Sequence, residues 1–294
     1  MNKNQTAETV LLAGATGYLG NYIALELLHR HMPVKIIARH PERLEHLKGE
    51  NTQIIKAEVT QPETLSGLCE GVTTVISSIG ITRQKDGLTY MDVDFQANLN
   101  LLDEAKRAGV RKFIYVSAVN GDKYRQLKIF QAKEAFVDAL KTSGLDYTVM
   151  RPNGFFSDMR DFLDMAKGGR VYLFGDGHYQ MNPIHGEDLA KVCVDAITMG
   201  AKEIAVGGPD NLAQNELATL TLKAWNKPVK ITHLPDWIRK LTITLARTFT
   251  SSKTYGPLEF FLTLMAEDQL APNSGDHHLE DFFNEEAKTM RNKR

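Results

Sequence analysis

Apolar residues along the chain fall into two alternating patterns. Short continuous runs form the first: "TVLLAGA" (9–15), "PVKIIAR" (33–39), "NTQIIKAEV" (51–59), "TTVISSIG" (73–80), "KFIYVSA" (112–118) and "DYTVMRP" (146–152). Runs of this length, rich in Val and Ile, predict strands buried on both faces. Between them, "YLGNYIALELLHRH" (18–31), "FQANLNLLDEAKRAG" (95–109) and "QAKEAFVDALKTSG" (131–144) place apolar residues at helical spacing, the last two stopping at glycine. Strand and helix in alternation predict an α/β fold with a doubly wound parallel sheet.

The alternation weakens after Pro152. "GGRVYLFGDGHYQMNPIH" (168–185) is rich in turns and aromatic residues, and 209–294 reads as mostly helical. A helix over 186–200 and a strand over 203–208 return to the sheet. The expected organisation is a dinucleotide-binding domain over 1–152, its sheet completed by 182–208, and a smaller, mostly helical substrate-side lobe from 153–181 and 209–294.

Composition narrows the function. The chain has 294 residues, 43% hydrophobic and 24% charged, with a formal net charge of -1. That balance offers no global field for nucleic acid or an anionic membrane. Cys69 and Cys193 form no CxxC pair, so neither a disulfide scaffold nor a zinc ribbon is expected, and a reducing, cytoplasmic setting fits. The opening "MNKNQTAETV" lacks the apolar core of a leader, and no run of about 18 apolar residues exists to span a membrane.

The chemistry begins at "GATGYLG". Gly14, Gly17 and Gly20 follow the first strand and open a helix, the context in which glycines permit a tight turn, close approach to a pyrophosphate and tight helix packing. Thr16, Tyr18 and Leu19 lie within the same turn. The second strand ends in "IIARHPERL", with Arg39 where a ribose-binding carboxylate would mark NAD, and Arg43 one turn on. A guanidinium fork suits a 2′-phosphate, so NADP(H) is the expected cofactor. Glu58 and Val59 follow the third strand at the adenine side. Ser78, Ile79 and Gly80 follow the fourth, where small residues let the chain pass close to a cofactor. Together these features predict a Rossmann fold.

Six segments in order, "GATGYLG", "AEVTQPETL", "VISSIG", "ANLNLLDEAKRAGVRKFIYVSA", "AKEAFVDALKTSGLDYTVMRP" and "NPIHGEDLA", make residues 8 to 208 resemble the extended and atypical short-chain dehydrogenase/reductases. The similarity is greatest to the atypical NAD(P)H-binding branch with its NmrA-like members, isoflavone-reductase-like enzymes and divinyl-chlorophyllide reductases. The resemblance implies that a serine after the fifth strand and a Tyr-x-x-x-Lys pair on the next helix carry proton transfer. Ser117 matches the serine. Two lysines compete for the last position in "YRQLKIFQAKE": Lys128, with Tyr124 four residues before it, and Lys133, with Ile129 there. The interval from Lys133 to "RP" resembles the atypical branch, which assigns ribose binding to Lys133 and puts an isoleucine at the tyrosine position.

Ile129 cannot transfer a proton. Tyr124, His178 and Tyr179 are the alternative donors. The acceptor is expected to be apolar or aromatic and to need little acid help, as an activated alkene or a quinone does; the alternative is an NADPH-binding sensor or assembly factor without turnover. Pro152, Asn153 and Phe155 follow the sixth strand at the edge where ligands bind in this architecture, with Asn153 expected at the nicotinamide carboxamide. The histidines of "SGDHHLEDFF" (274–283) adjoin one another and lack a His-x-x-x-His pair, so the stretch reads as an Asp-capped helix start and no metal is expected. Residues 234–256 place Trp237, Ile238, Leu241, Leu245 and Phe249 at helical spacing. They read as an amphipathic helix packed on its own domain, with a membrane-surface helix or a lid over an apolar substrate as the other readings. The sequence leaves the oligomeric state open.

Overall fold

The computed structural model describes residues 8–82 and 87–292. Residues 1–7 of the opening segment read for a leader lie outside them. In chain order the elements are β1 (Val10–Ala13), α1 (Tyr18–His29), β2 (Val34–Ala38), β3 (Thr52–Lys56), β4 (Thr74–Ser77), α2 (Asn98–Arg107), β5 (Lys112–Val116), α3 (Lys128–Lys141) and β6 (Asp146–Pro152). They continue with α4 (Arg160–Lys167), β7 (Val171–Phe174), β8 (Gln180–Met181), α5 (Gly186–Asp195), β9 (Glu203–Val206), β10 (Leu212–Ala213) and α6 (Gln214–Ala224). The last are β11 (Ile231–Leu234), α7 (Asp236–Phe249), α8 (Ser252–Leu264) and α9 (Leu279–Asn292).

The predicted parallel sheet is present, seven strands in the order β3-β2-β1-β4-β5-β6-β9. Its inner strands β1, β4 and β5 are short and buried on both faces, so they need a helix layer on either side, while the edge strands β3 and β9 are partly exposed. On one side Leu11, Val75, Phe113 and Val149 meet Leu101, Leu102, Phe136 and Leu140 from α2 and α3 in a fully buried cluster. The order reverses between β1 and β4. That reversal opens a crevice at the strands' carboxyl ends, where this architecture binds ligands.

The chain divides into two compact units. The first comprises residues 1–117, 121–151 and 189–204; the second comprises 118–120, 152–188 and 205–294. The second has its own core, in which Phe156, Phe162, Leu163, Leu217, Leu222 and Phe283 are buried. Phe156 is thus a core residue. Two small sheets, β7 with β11 and β8 with β10, accompany its helices.

Three departures from the sequence pattern matter for the site. The helix expected over 95–109 begins earlier, as a π-helical stretch Met91–Ala97 that runs into α2. Such a stretch widens the turn and re-aims its side chains, Asp94 among them. α3 begins at Lys128, so Lys133 sits in its second turn and not at its start. The amphipathic segment 234–256 is broken: α7 ends at Phe249 and α8 begins at Ser252. Among the described residues no helix is long and apolar enough to cross a membrane.

Candidate cofactor and active site

The glycine loop is built so that no side chain fits in it. Gly14 has φ +99°, a backbone conformation costly for other residues, and a Cβ there would collide with the Ser78 hydroxyl. A Cβ at Gly20 would run into the Gly14 carbonyl, because α1 starts directly against the loop. The Gly17 N–H closes the turn by donating to Gly14 O at 2.9 Å. The first turn of α1 holds no acidic residue, and its cap Gly17 makes no side-chain cap hydrogen bond. Backbone donors at the positive end of a helix dipole remain, the chemistry that suits a pyrophosphate. Thr16, in the loop itself, is exposed.

Beside the loop, β4 ends in Ser77 and Ser78. The Ser77 hydroxyl donates to Asn98 Oδ1 at 2.6 Å, and Asn98 Nδ2 donates to the carbonyls of Val93 and Asp94. These bonds hold the wide π-helical turn in register with the sheet and fix Asp94. Asp94 is completely buried. Its Oδ2 accepts from the Ile81 N–H at 3.2 Å and its Oδ1 lies 2.9 Å from Lys133 Nζ. Opposite charge at close approach holds the pair together. Gly80 covers both groups closely, since a Cβ there would strike Asp94 Oδ1 and Lys133 Nζ.

The electrostatics follow from this geometry. Burial works against the Lys133 ammonium, but Asp94 and then Tyr115 outweigh it, and the pKa moves up from the ordinary 10.5. Burial pushes the Asp94 carboxyl upward, and Lys133 opposes that shift. Lys133 also lies 5.7 Å from the centre of the Tyr115 ring, whose hydroxyl points at the Asp94 carbonyl, 3.5 Å away. The sequence reading missed Asp94 and Tyr115. Burial raises the Tyr115 phenol, and nearby Lys133 does not reverse the shift, so Tyr115 stays a phenol at neutral pH and serves as wall, not base.

The two candidate lysines, Lys128 and Lys133, separate clearly. Lys128 is at the exposed start of α3 and bonds Gln131 at 3.2 Å. Lys133 turns inward to Asp94. Ile129, four residues before it and therefore on the same helix face, is buried. Tyr124 lies before α3 begins. It is buried, with its ring stacked on Phe130 and Lys123 over its outer side.

Ser117 is engaged by a buried carboxylate. Its hydroxyl donates to Glu134 Oε1 at 2.8 Å. Glu134 is fully buried and takes two hydrogen bonds from Arg151, at 2.9 and 3.1 Å, while Arg151 Nε donates to Glu203 at 2.6 Å. The serine thus belongs to a buried ionic network joining β5, α3, β6 and β9. Arg39, just after β2, is half exposed with Nε 3.5 Å from Glu58 Oε2, and Arg43 is exposed. The Val59 carbonyl accepts from Asn100 at 3.0 Å.

The remaining expected residues lie in the second unit. Asn153 does not present a free carboxamide. Its Nδ2 donates to Asn182 and to the Gln269 carbonyl, and its Oδ1 accepts from the Gly154 N–H. Both amide protons are thereby taken up in fastening residue 269 to the end of β6. Pro152 is buried at the end of β6, and Phe155 is half-buried with its N–H donating to Asp158. His178 is exposed and pairs with Asp176 at 3.3 Å. Tyr179, with Phe174, Asp176, Arg239 and Met265, lines a cavity of about 220 Å³.

Residues 274–278 also behave differently from their sequence reading. The start of α9 is capped from a distance: Asp210 pairs with His278 at 2.9 Å and accepts the Leu279 N–H at 3.4 Å. Asp188, buried, accepts the N–H groups of Asp276 and His277 and pairs with His277 Nδ1 at 3.0 Å. Ligand-type atoms of His185, Glu187 and His277 lie within 4.8 Å of one another. The rings of His185 and His277 stack at 4.2 Å instead of converging on a point, and His185 Nδ1 accepts the Glu187 N–H. The cluster clamps the C-terminal segment to the start of α5.

A family model described as NAD(P)H-binding matches residues 14–199, which include the glycine loop, Asp94 and Lys133. The chain is 28% identical to the chloroplastic divinyl chlorophyllide a 8-vinyl-reductase of Zea mays, over 94% of this chain and 78% of that protein. It is 25% identical to the photosystem II assembly factor Ycf39 of Guillardia theta, over 77% of this chain and 73% of that one. Among solved structures, the NADPH-dependent quinone oxidoreductase QOR2 of Escherichia coli, solved with NADPH, superposes with a TM-score of 0.69 at 18% identity, covering 96% and 99% of the two chains. That last likeness concerns the fold.

Proposed function

Since the chain belongs to the NAD(P)H-binding family, we propose that it is an NADPH-dependent reductase whose acceptor is an apolar or aromatic small molecule bearing an activated carbon–carbon double bond or a quinone. The observation that carries this reading is the buried Lys133–Asp94 pair beneath Gly80 with Ile129 at the tyrosine position. Lys133 keeps its charge against Asp94, and the position four residues before it on α3 carries Ile129 in place of a tyrosine, while the phenol beside Lys133, Tyr115, is buried in the sheet. Carbonyl reduction loses a contribution of roughly 10²–10⁴-fold without a positioned acid. An activated alkene or a quinone depends less on one, since its product charge is delocalised.

The residues fit a dinucleotide. The loop at Gly14, Gly17 and Gly20 would take the pyrophosphate on backbone amides, Lys133 would hold the nicotinamide ribose, and Arg39 with Arg43 would hold a 2′-phosphate. The nicotinamide, when bound, supplies the hydride. Lys133 keeps its proton throughout. Tyr124, His178 and Tyr179 stay as alternative proton donors, with solvent water available to an acceptor that needs no positioned acid. The likeness to a vinyl reductase supports an alkene.

The test is NADPH oxidation by the purified chain against enones, quinones and tetrapyrroles. Turnover with one class supports the reductase; tight NADPH binding without turnover on any of them counts against it. A second reading, an NADPH-occupied sensor or assembly factor, is favoured by one specific observation: Ser117 is engaged by Glu134 and Tyr124 is stacked on Phe130, so neither expected proton-transfer group is presented. The likeness to Ycf39 agrees with it. Copurification with a partner whose affinity changes with NADPH would support that reading.

A further inference from the structure

α7 is arranged inside out. Its inner side carries Arg239, only 9% exposed, which donates to Asp236 at 2.6 Å and to the Leu262 carbonyl at 3.2 Å. Its outer side carries Trp237, Leu241, Leu245 and Phe249, exposed by 63, 46, 46 and 77%. These four are spaced by four residues, so they trace one continuous stripe along the helix. Single exposed apolar residues are ordinary on a protein surface; an aligned row ending in Trp and Phe is not.

The residues between them extend the apolar character. Thr244 and Thr248 share the outer face, and their hydroxyls donate inward to the carbonyls of Lys240 and Thr244, at 2.9 and 2.8 Å. Thr242 and Thr250 do the same toward Ile238 and Ala246, at 2.8 and 2.7 Å. A threonine bonded back to its own helix hides its donor and turns its methyl outward. The outer face therefore offers few hydrogen-bonding groups between its apolar side chains.

Charge selects the occupant. Between residues 223 and 255 the sequence holds Lys223, Lys227, Lys230, Arg239, Lys240, Arg247 and Lys253 against the single acid Asp236, while the whole chain carries -1. All but the buried Arg239 are exposed; Lys240 pairs with Asp236 at 3.3 Å and Arg247 pairs with buried Glu259, so Lys223, Lys227, Lys230 and Lys253 carry most of the excess positive charge. Lys240 flanks the stripe, and Lys253 lies just beyond its Phe249 end. A second copy of this chain would bring the same cations against each other. A surface that is both apolar and anionic would satisfy stripe and cations together.

We propose that α7 seats this protein on an anionic lipid surface. The helix lies flat in the interface, with Trp237, Leu241, Leu245 and Phe249 among the acyl chains and the lysines at the headgroups. At 14 residues it is about 21 Å long, too short to span a bilayer.

The test is vesicle cosedimentation of the full chain. Wild type should bind vesicles containing phosphatidylglycerol and release as salt rises, with much weaker binding to pure phosphatidylcholine. In a Trp225→Phe background, Trp237 emission should shift to the blue on binding. Trp237→Asp with Phe249→Asp, both fully tolerable at exposed positions, should lower affinity at least about tenfold; Lys240→Glu with Lys253→Glu should do so for the anionic vesicles. Unchanged thermal melting would show that the variants fold. Three results would overturn the proposal: no wild-type binding, equal binding by the aspartate variant, or a solution dimer that this variant dissociates.

Discussion

Lys133 Nζ lies 2.9 Å from the wholly buried carboxylate of Asp94, beneath a glycine that no other residue could replace without moving both. Each charge makes the other's burial tolerable. Removing one partner strands its mate, a loss of about 3–5 kcal/mol for a buried pair. Asp94→Ala should therefore lower stability by about that amount, while Asp94→Asn with Lys133→Met should recover most of it. Urea denaturation of the single and double variants measures the coupling.

The sign of the Lys133 shift gives a pH expectation. A raised pKa means that the ammonium is intact below the ordinary 10.5 and is lost only above it. NADPH affinity should accordingly show no fall from neutrality to about pH 10 that depends on this residue. A titration monitored by cofactor fluorescence would contradict this if wild type lost affinity over that range and Lys133→Met did not.

Gly20→Ala places a methyl against the Gly14 carbonyl, where backbone must move. The expected outcome is loss of detectable NADPH binding and a stability cost of about 1–3 kcal/mol. Gly80→Ala strikes the ends of two side chains instead and should weaken binding with less effect on the melting temperature.

Arg39 separates the two cofactors. Losing one charge-assisted bond of roughly 1.5–3 kcal/mol should weaken NADPH about tenfold or more in Arg39→Ala and leave NADH nearly unchanged. Equal losses for both dinucleotides would remove the 2′-phosphate from its proposed place.

Ser117→Ala should behave as a structural substitution. Its hydroxyl satisfies buried Glu134, so stability should fall by about 1–3 kcal/mol with kcat held within a few-fold. A large drop in kcat without destabilisation would restore Ser117 to the proton path.

Much of the first unit was legible because its signals are local. Two-sided apolar runs announced β1 to β6, and the glycine triplet announced the loop, since backbone geometry there depends on neighbours in sequence. Asp94 was not legible. It sits in what reads as an ordinary amphipathic helix, and only the π-helical turn before α2 aims it at Lys133. Ser117 and Asn153 matched expected positions, but Glu134 and Gln269, distant in sequence, take up their polar groups. The same holds at the C-terminus, where Asp188 and Asp210 reach His277 and His278 across the second unit. For α7 the periodicity was plain, but not which face turns outward, because Arg239 finds Asp236 and Leu262 to satisfy it inside.

The central claim is that Lys133, held by Asp94, organises hydride transfer from NADPH without a partner tyrosine. Its most direct test is deuterium transfer from 4-deuterated NADPH to enone and quinone acceptors, read by mass spectrometry of the product. Wild type and Lys128→Met should give deuterated product, and Lys133→Met should give little or none. Absence of deuterium in every wild-type product, or transfer undiminished in Lys133→Met, would contradict the account.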